Sequence, residues 1–401
     1  MRGCRGEAGG RGDAVASAFT RLYGHQPSGL WSAPGRVNLI GEHTDYNDGL
    51  CLPIALPQRT WAAVSPRGDD RLRVTSIDLS ATADVALSDV TPGHPSGWAA
   101  YLAGVLWAMR QDGLPVTGLD VVLGSEVPMG AGLSSSAAVE GCLAVAASDL
   151  FNLGLTADAP GRDRLAGLCQ RAENDIVGAP TGGMDQTICL RARAGQAALI
   201  DFAPRPGLAC QGPAVQFVPF DPGVDQVVLL VMTTHVRHAL ADGQYAARRQ
   251  ACHQAAAALG VTSLRQISPD DLPQALAGLP NAQQRRAVRH VVTEIARVSR
   301  AAAAARSRDW GQFGVLMNDS QASLCDDYQV SSPELDTACR VAIDCGALGA
   351  RLTGGGFGGS AIALISATAA PAVAPAVAEA FSAAAWPAPQ VFPAWAGPAA
   401  R

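Results

Sequence analysis

Four short stretches of this chain concentrate residue types that could do chemistry. In Pro128-Met129-Gly130-Ala131-Gly132-Leu133-Ser134-Ser135-Ser136-Ala137, two glycines precede three consecutive hydroxyls. Glycine lets the backbone curve until successive N–H groups converge, and a helix starting just behind adds the positive end of its dipole. A helix cap needs one serine. Three leave hydroxyls over for phosphate oxygens or a phosphate-bound Mg2+, so the loop reads as an anion cradle. It is not a Walker loop, because the lysine of GxxxxGK[ST] is missing. The run Gly354-Gly355-Gly356-Phe357-Gly358-Gly359 has five positions without side chains. Their entropic cost would be justified by close approach to a ligand, or equally by a tight hairpin.

The third stretch, Ser32 to Gly49, places Arg36, Glu42, His43 and Asp45 within ten residues, between apolar Val37, Leu39, Ile40 and Leu52, Ile54. A loop anchored against a core and carrying carboxylates and a histidine suits a polyhydroxylated ligand, since each hydroxyl both donates and accepts. The fourth, Thr181-Gly182-Gly183-Met184-Asp185-Gln186, follows Glu173 by a few residues. Taken alone, Asp185 is no more than one carboxylate among many.

Strands and helices must bring these stretches together. Leu119 to Leu123 reads as a strand feeding the serine loop, and Ala137 to Phe151 as the helix leaving it. Further helices are expected at Val15 to Tyr23, Trp98 to Arg110, Arg162 to Asn174, Asp242 to Leu259, Asp271 to Ala277, Ala282 to Ser307, from Pro333 towards Cys345, and at Val377 to Ala385. Strands are expected at Arg59 to Val64, Arg71 to Leu79, Gln226 to Met232 and Ala361 to Ile365. This irregular alternation implies an α+β chain. A division near residues 205–225, where Pro204, Pro206, Gly207 and Pro213 cluster, separates a first domain over 15–210 from a second over 211–401. Residues 1–14 read as a disordered lead.

Composition excludes several classes. With 401 residues and 48% apolar content the chain can build two cores, and a formal charge of −5 disfavours a nucleic-acid or acidic-membrane partner. Ten cysteines without a CxxC pair do not form a disulfide framework; Cys142, Cys169 and Cys339 read as small core residues. His235 and His238 have no third metal ligand nearby in sequence. The N-terminus has no secretory h-region and no stretch is long and apolar enough to span a bilayer, so the cytoplasm is the expected location. The sequence leaves the oligomeric state open, with a monomer the expected state.

Together the four stretches resemble the galactokinases, within the GHMP kinase superfamily. GRVNLIGEHTDYNDG is similar to that family's sugar signature, PMGAGLSSSAA to the superfamily's phosphate loop, and LTGGGFGGSAIAL to its C-terminal glycine motif. AEN at Ala172 to Asn174, GGMDQ from Gly182, VRHAL from Val236 and DDYQVSSPELD from Asp326 follow in the family's order, over about residues 15–395.

The resemblance implies a two-domain GHMP kinase fold, with an N-terminal domain like the second domain of ribosomal protein S5 and a ferredoxin-like C-terminal domain. It implies transfer of the γ-phosphoryl of ATP to the C1 hydroxyl of galactose. By the same resemblance Asp185 and Arg36 are catalytic, and Glu42, His43, Asp45, Gly182 and Tyr245 bind the sugar. Gly130, Ala131, Gly132, Leu133, Ser134, Ser135 and Ser136 hold the ATP phosphates, Trp98 lies near the adenine, and Ser135 with Glu173 holds Mg2+. The chain departs from the family pattern at Thr181, Gly183, Gln321 and Cys325, where altered stability or KM is expected. The rival readings are a kinase for arabinose or N-acetylgalactosamine and a silent galactose sensor. The intact serine loop with Arg36 and Asp185 stands against the sensor.

Overall fold

The computed structural model describes residues 10–204, 212–237 and 241–401. The first half runs α1 (Gly10–Tyr23), β1 (Gly29–Asn38), β2 (Leu50–Cys51), β3 (Pro53–Pro66), β4 (Arg71–Ser76), β5 (Ala81–Ala86), α2 (Ala99–Gln111), β6 (Leu119–Ser125), α3 (Ser135–Leu150), α4 (Ala159–Arg171), α5 (Met184–Arg191), β7 (Gln196–Asp201) and β8 (Ala214–Pro219). Five strands form one sheet in the order β1-β3-β6-β4-β5, antiparallel except where β4 meets β6. Side chains alternate across it, as the two-residue period of a strand requires. Val121 packs with Leu102, Leu106, Leu143 and Leu165 of α2, α3 and α4, while its neighbour Val122 packs with Val15 and Phe19 of α1 on the opposite face.

The second half runs β9 (Val227–Arg237), α6 (Ala241–Ala258), α7 (Leu272–Ala277), α8 (Ala282–Ser307), α9 (Trp310–Asp326), α10 (Pro333–Asp344), β10 (Gly349–Thr353), β11 (Gly358–Ser366), α11 (Ala370–Ala383) and β12 (Gln390–Ala394). Its sheet has the order β10-β11-β9-β12, antiparallel throughout. The first strand thus lies between the third and the fourth, with helices covering the crossovers, which is the ferredoxin-like arrangement. No helix among the described residues is long and apolar enough to cross a membrane.

Several expectations need correction. Residues 10–14 are not part of a disordered lead, because α1 already starts at Gly10. A division at 210/211 falls between two paired strands: β7 and β8 form an antiparallel hairpin that continues through β2, so the first half extends to Pro219. Nor does the second domain keep the whole C-terminus. Arg401 and Ser32 exchange backbone hydrogen bonds of 2.8 and 2.9 Å, and Ala400 sits in the first half's core. The guanidiniums of Arg59 and Arg162 accept that tail by donating to the carbonyls of Pro398, Ala399 and Ala400, which would otherwise lack donors. Finally, Ser32 to Asn38 belongs to a strand, not a loop. Its pattern is hard to see because seven residues from Ser32 to Asn38 are all buried and the register shifts at Pro34/Arg36.

Candidate active site

The register shift in β1 aims Arg36 into the cleft between the halves. Its backbone N–H donates to Leu133 O at 3.0 Å and its Nη1 to Gly132 O at 2.6 Å, so the strand is tied to the serine loop. Nε and Nη2 donate to Asp185 Oδ1 and Oδ2 at 2.9 and 2.8 Å, a two-pronged charge-assisted contact that fixes the carboxylate plane. Asp185 stands in the first turn of α5, where a helix N-terminus favours a negative charge. Ser134, in the left-handed region at φ 57°, precedes α3, and its hydroxyl donates to Asp185 instead of capping the helix.

Two cavities meet at this pair. One, of about 180 Å³, is lined by Glu42, His43, Asp45, Thr181 and Tyr245. The other, of about 360 Å³, is lined by Gly130, Gly132, Ser134, Ser135, Ser136, Tyr101, Thr353 and residues 356–359. Arg36, Glu173, Asp185 and Gly355 border both. A third, apolar hollow with Trp98, Leu79, Leu123, Met129 and Val139 on its walls continues from the second through Tyr101, Ser135 and Ser136. The serine loop and the glycine run, from opposite halves, pack backbone to backbone. Ser360 Oγ donates to Ala131 O at 2.6 Å, and a Cβ on Gly359, at φ +86°, would lie 3.2 Å from that same carbonyl. Close approach is therefore what the glycine run serves.

All the expected residues gather here, but not all face the cavities. Ala131 and Leu133 are buried in the core behind the loop. Gly182 lies behind Asp45, and any side chain there would strike the Asp45 carboxylate. Tyr245 stands beside His43 and Tyr46, with ring centroids 5.4 and 5.8 Å apart. Glu42 is buried, its Oε1 taking Gly354 N–H at 2.8 Å and its Oε2 taking Arg351 Nη2 at 2.6 Å and Asn38 Nδ2 at 2.8 Å.

Burial dominates the electrostatics. It raises the pKa of Asp45 to about 6, with the Asp185 charge adding to the effect, and that of Glu173 to about 7 for the same two reasons. It lowers His43 to about 3, so that imidazole is neutral. Gln186 Nε2 donates to Glu173 Oε2 at 2.5 Å and to Glu140 Oε2 at 3.2 Å. Among the described residues no group of three or more His, Cys, Asp or Glu could hold a metal alone. Ser135 and Glu173 nonetheless offer two oxygen donors on the wall of the second cavity. Such a sparse set suits Mg2+, which keeps waters and takes phosphate oxygens as further ligands.

Sequence reasoning missed Tyr101, Thr353 and the support behind Glu42. Tyr101 was within reach, being three residues after Trp98 on one helical face. Arg351, flanked by Ala350 and Leu352, was also a visible oddity. Of the departures, Thr181 lines the first cavity, and Gly183 takes φ +95° just before α5. Gln321 and Cys325 lie elsewhere, both donating to Asp336 between α9 and α10. His235 pairs with Thr233, and His238 lies outside the described residues.

The chain is similar to known proteins along most of its length. The family model "galactokinase galactose-binding signature" matches residues 17–66, and the GHMP kinase N-terminal and C-terminal models match 100–193 and 301–383. A galactokinase of Streptomyces coelicolor is 48% identical over 396 residues, 97% of this chain and 99% of that protein. One from Bos taurus is 42% identical over 89% of this chain and 88% of its own length. The crystal structure of Lactococcus lactis galactokinase with galactose superposes with a TM-score of 0.88 at 29% identity, covering 97% of this chain and 99% of the other. Methanococcus jannaschii mevalonate kinase, 16% identical with a TM-score of 0.64 over 92% and 98% of the two chains, shares the fold.

Proposed function

This chain belongs to the galactokinase family of GHMP kinases, and from that premise we propose that it transfers the γ-phosphoryl of ATP to the C1 hydroxyl of α-D-galactose, releasing galactose 1-phosphate and ADP. The observation that carries this reading is the Arg36–Asp185 pair at the junction of a carboxylate-lined cavity with one lined by glycines and serines.

Phosphoryl transfer depends on in-line positioning and on neutralising the moving oxygens. The smaller cavity, with Glu42, His43, Asp45 and Tyr245, takes the sugar; Gly182 supports it by leaving room for Asp45. The larger takes the phosphates against the backbone of residues 130–136, and the apolar hollow beside Trp98 and Tyr101 takes the adenine. Asp185 orients the C1 hydroxyl and accepts its proton as that oxygen bonds to the γ-phosphorus and the bond to the bridging oxygen of ADP breaks. Arg36 holds the Asp185 carboxylate in one plane and sets a positive charge beside the transferring group. Ser135 and Glu173 fit an Mg2+ arriving with the nucleotide, which would supply further charge neutralisation.

The eight described cysteines are all free thiols, which supports a cytoplasmic setting. The test is ATP-dependent phosphorylation over galactose, glucose, arabinose, N-acetylgalactosamine and mevalonate. Galactose should exceed glucose by at least about tenfold in kcat/KM, since the wrong epimer leaves buried polar groups unpaired. Equal efficiency with glucose would overturn the sugar assignment.

A further inference from the structure

Behind His43 lies a line of hydroxyls that enters neither cavity. His43 Nε2 is 3.2 Å from the carbonyl oxygen of Gly355, and Nδ1 is 2.8 Å from the Tyr46 hydroxyl. That hydroxyl is 2.8 Å from the Tyr328 hydroxyl, which is 3.2 Å from Cys252 Sγ on α6. A carbonyl oxygen can only accept, so Nε2 must carry the hydrogen. Burial keeps the ring neutral, so Nδ1 is then bare and must accept from Tyr46. The Tyr46 oxygen in turn accepts from Tyr328, and the Tyr328 oxygen from the Cys252 thiol. Every donor in the line points the same way.

The geometry points to Tyr46 and Tyr328 as positioning residues that hold His43 in its Nε2–H tautomer, clamped on the Gly355 carbonyl. Gly355 borders both cavities, so this clamp couples the wall of the smaller cavity to the glycine run of the larger. A second clamp runs parallel to it, from Gly354 N–H to Glu42 at 2.8 Å. Packing does not explain the ordering of donors. Tyr328 stacks on both His43 and His290, with centroids 4.7 and 4.4 Å apart, and would do so without its hydroxyl.

This inference rests on the sugar-kinase reading for its kinetic consequence, but not for its spectroscopic one. In 15N-histidine-labelled full-length protein near neutral pH, long-range 1H–15N spectra should show His43 as the pure Nε2–H tautomer, assigned by its loss in His43→Gln. In Tyr46→Phe the Gly355 carbonyl still selects Nε2–H, but the ring loses its second restraint, so the bare Nδ1 resonance should shift and the Nε2–H should exchange faster with water. Galactose KM should rise about tenfold in Tyr46→Phe, about threefold in Tyr328→Phe and less than about twofold in Cys252→Ala, because only the first leaves a ring nitrogen unpaired. The ranking should follow position along the line and not the thermal midpoints. An Nδ1–H tautomer in the wild type overturns the inference, as does Tyr46→Phe with unchanged Nδ1 resonance, Nε2–H exchange and KM. If Tyr46→Phe does not fold, the wild-type tautomer and Tyr328→Phe, which keeps the stacked ring, decide it. A wild type without activity on galactose would instead strike the substrate assignment, and the tautomer would still judge this clamp.

Discussion

The two cavities are built from opposite materials. The smaller one has walls of ionisable side chains, Glu42, His43, Asp45 and Asp185, with Glu42 and His43 held by partners behind them. The larger is walled mostly by backbone, with glycines at 130, 132, 355, 356, 358 and 359 and short hydroxyls between them. A wall of charged side chains discriminates, because each hydroxyl of a ligand meets a group fixed in place and any mismatch leaves a buried polar atom unpaired. A wall of backbone N–H groups approaches closely and reads charge, which a triphosphate has in plenty. The first should therefore fail when atoms are removed, and the second when atoms are added.

The largest effect is expected at Asp185, where the two walls meet. Asp185→Asn keeps the shape but cannot take a proton, so kcat should fall roughly 10²–10⁴-fold. Galactose binding, measured by calorimetry, should persist. Retention of more than a third of the wild-type kcat would leave Asp185 with positioning alone.

Next come paired substitutions that test the contrast itself. Asp45→Ala removes a charged acceptor worth roughly 1.5–3 kcal/mol, so galactose KM should rise about ten- to a hundredfold at about 1.4 kcal/mol per decade. ATP KM should stay within about twofold, since Asp45 borders only the smaller cavity. Gly359→Ala adds one methyl to a residue in the left-handed region, at a cost of about 1–2 kcal/mol, and should raise ATP KM about tenfold with galactose KM little changed. Initial rates with each substrate varied in turn will show it. If both variants moved the same KM, the two walls would not be functionally separate.

The smallest effect concerns the ligand-free protein. Glu173 is pushed up to about 7 by burial and by the Asp185 charge, from an ordinary value near 4.5. A carboxyl raised in this way contributes stability fully below its unfolded value, and that contribution is lost as pH rises through about 7. The neutral buried histidines, His43 and His290, act oppositely but only below about pH 6.5, where the unfolded histidines titrate. Glu173→Gln should therefore stabilise the protein relative to wild type more at pH 8 than at pH 5.5, by on the order of 2 kcal/mol. Thermal midpoints without nucleotide or Mg2+ test this, and a pH-independent difference between the two proteins would refute it.

Much of the nucleotide side was visible in the sequence, because a glycine–serine loop between a strand and a helix is a local pattern. The Ala282–Ser307 helix appears with the expected ends, and Asn281 caps it by accepting from Gln283 and Gln284. The missed α9 and the misread β1 show the limit. In β1 every residue from Ser32 is buried, so the alternation that marks a strand is absent. The tail that returns to Ser32 had no local signal either, since its carbonyls are satisfied by arginines hundreds of residues away in the chain.

By itself the sequence determined which groups are available: a phosphate cradle, a carboxylate-rich segment, and Arg36 and Asp185 to stand between them. Only the tertiary structure decided what holds those groups still. Glu42 is fixed by Arg351 and Gly354, while Glu294 takes the Gly41 N–H and the Ser320 hydroxyl and lies beside that same Arg351. Burial raises the pKa of Glu42, whereas Arg297, His290 and Arg351 overcome burial at Glu294 and bring it down to about 2. Hydrogen bonds between residues about 250 to 315 positions apart leave no periodicity to read. They arise because two halves, each burying its own apolar face, bring their polar edges into one buried seam where every charge must find a partner.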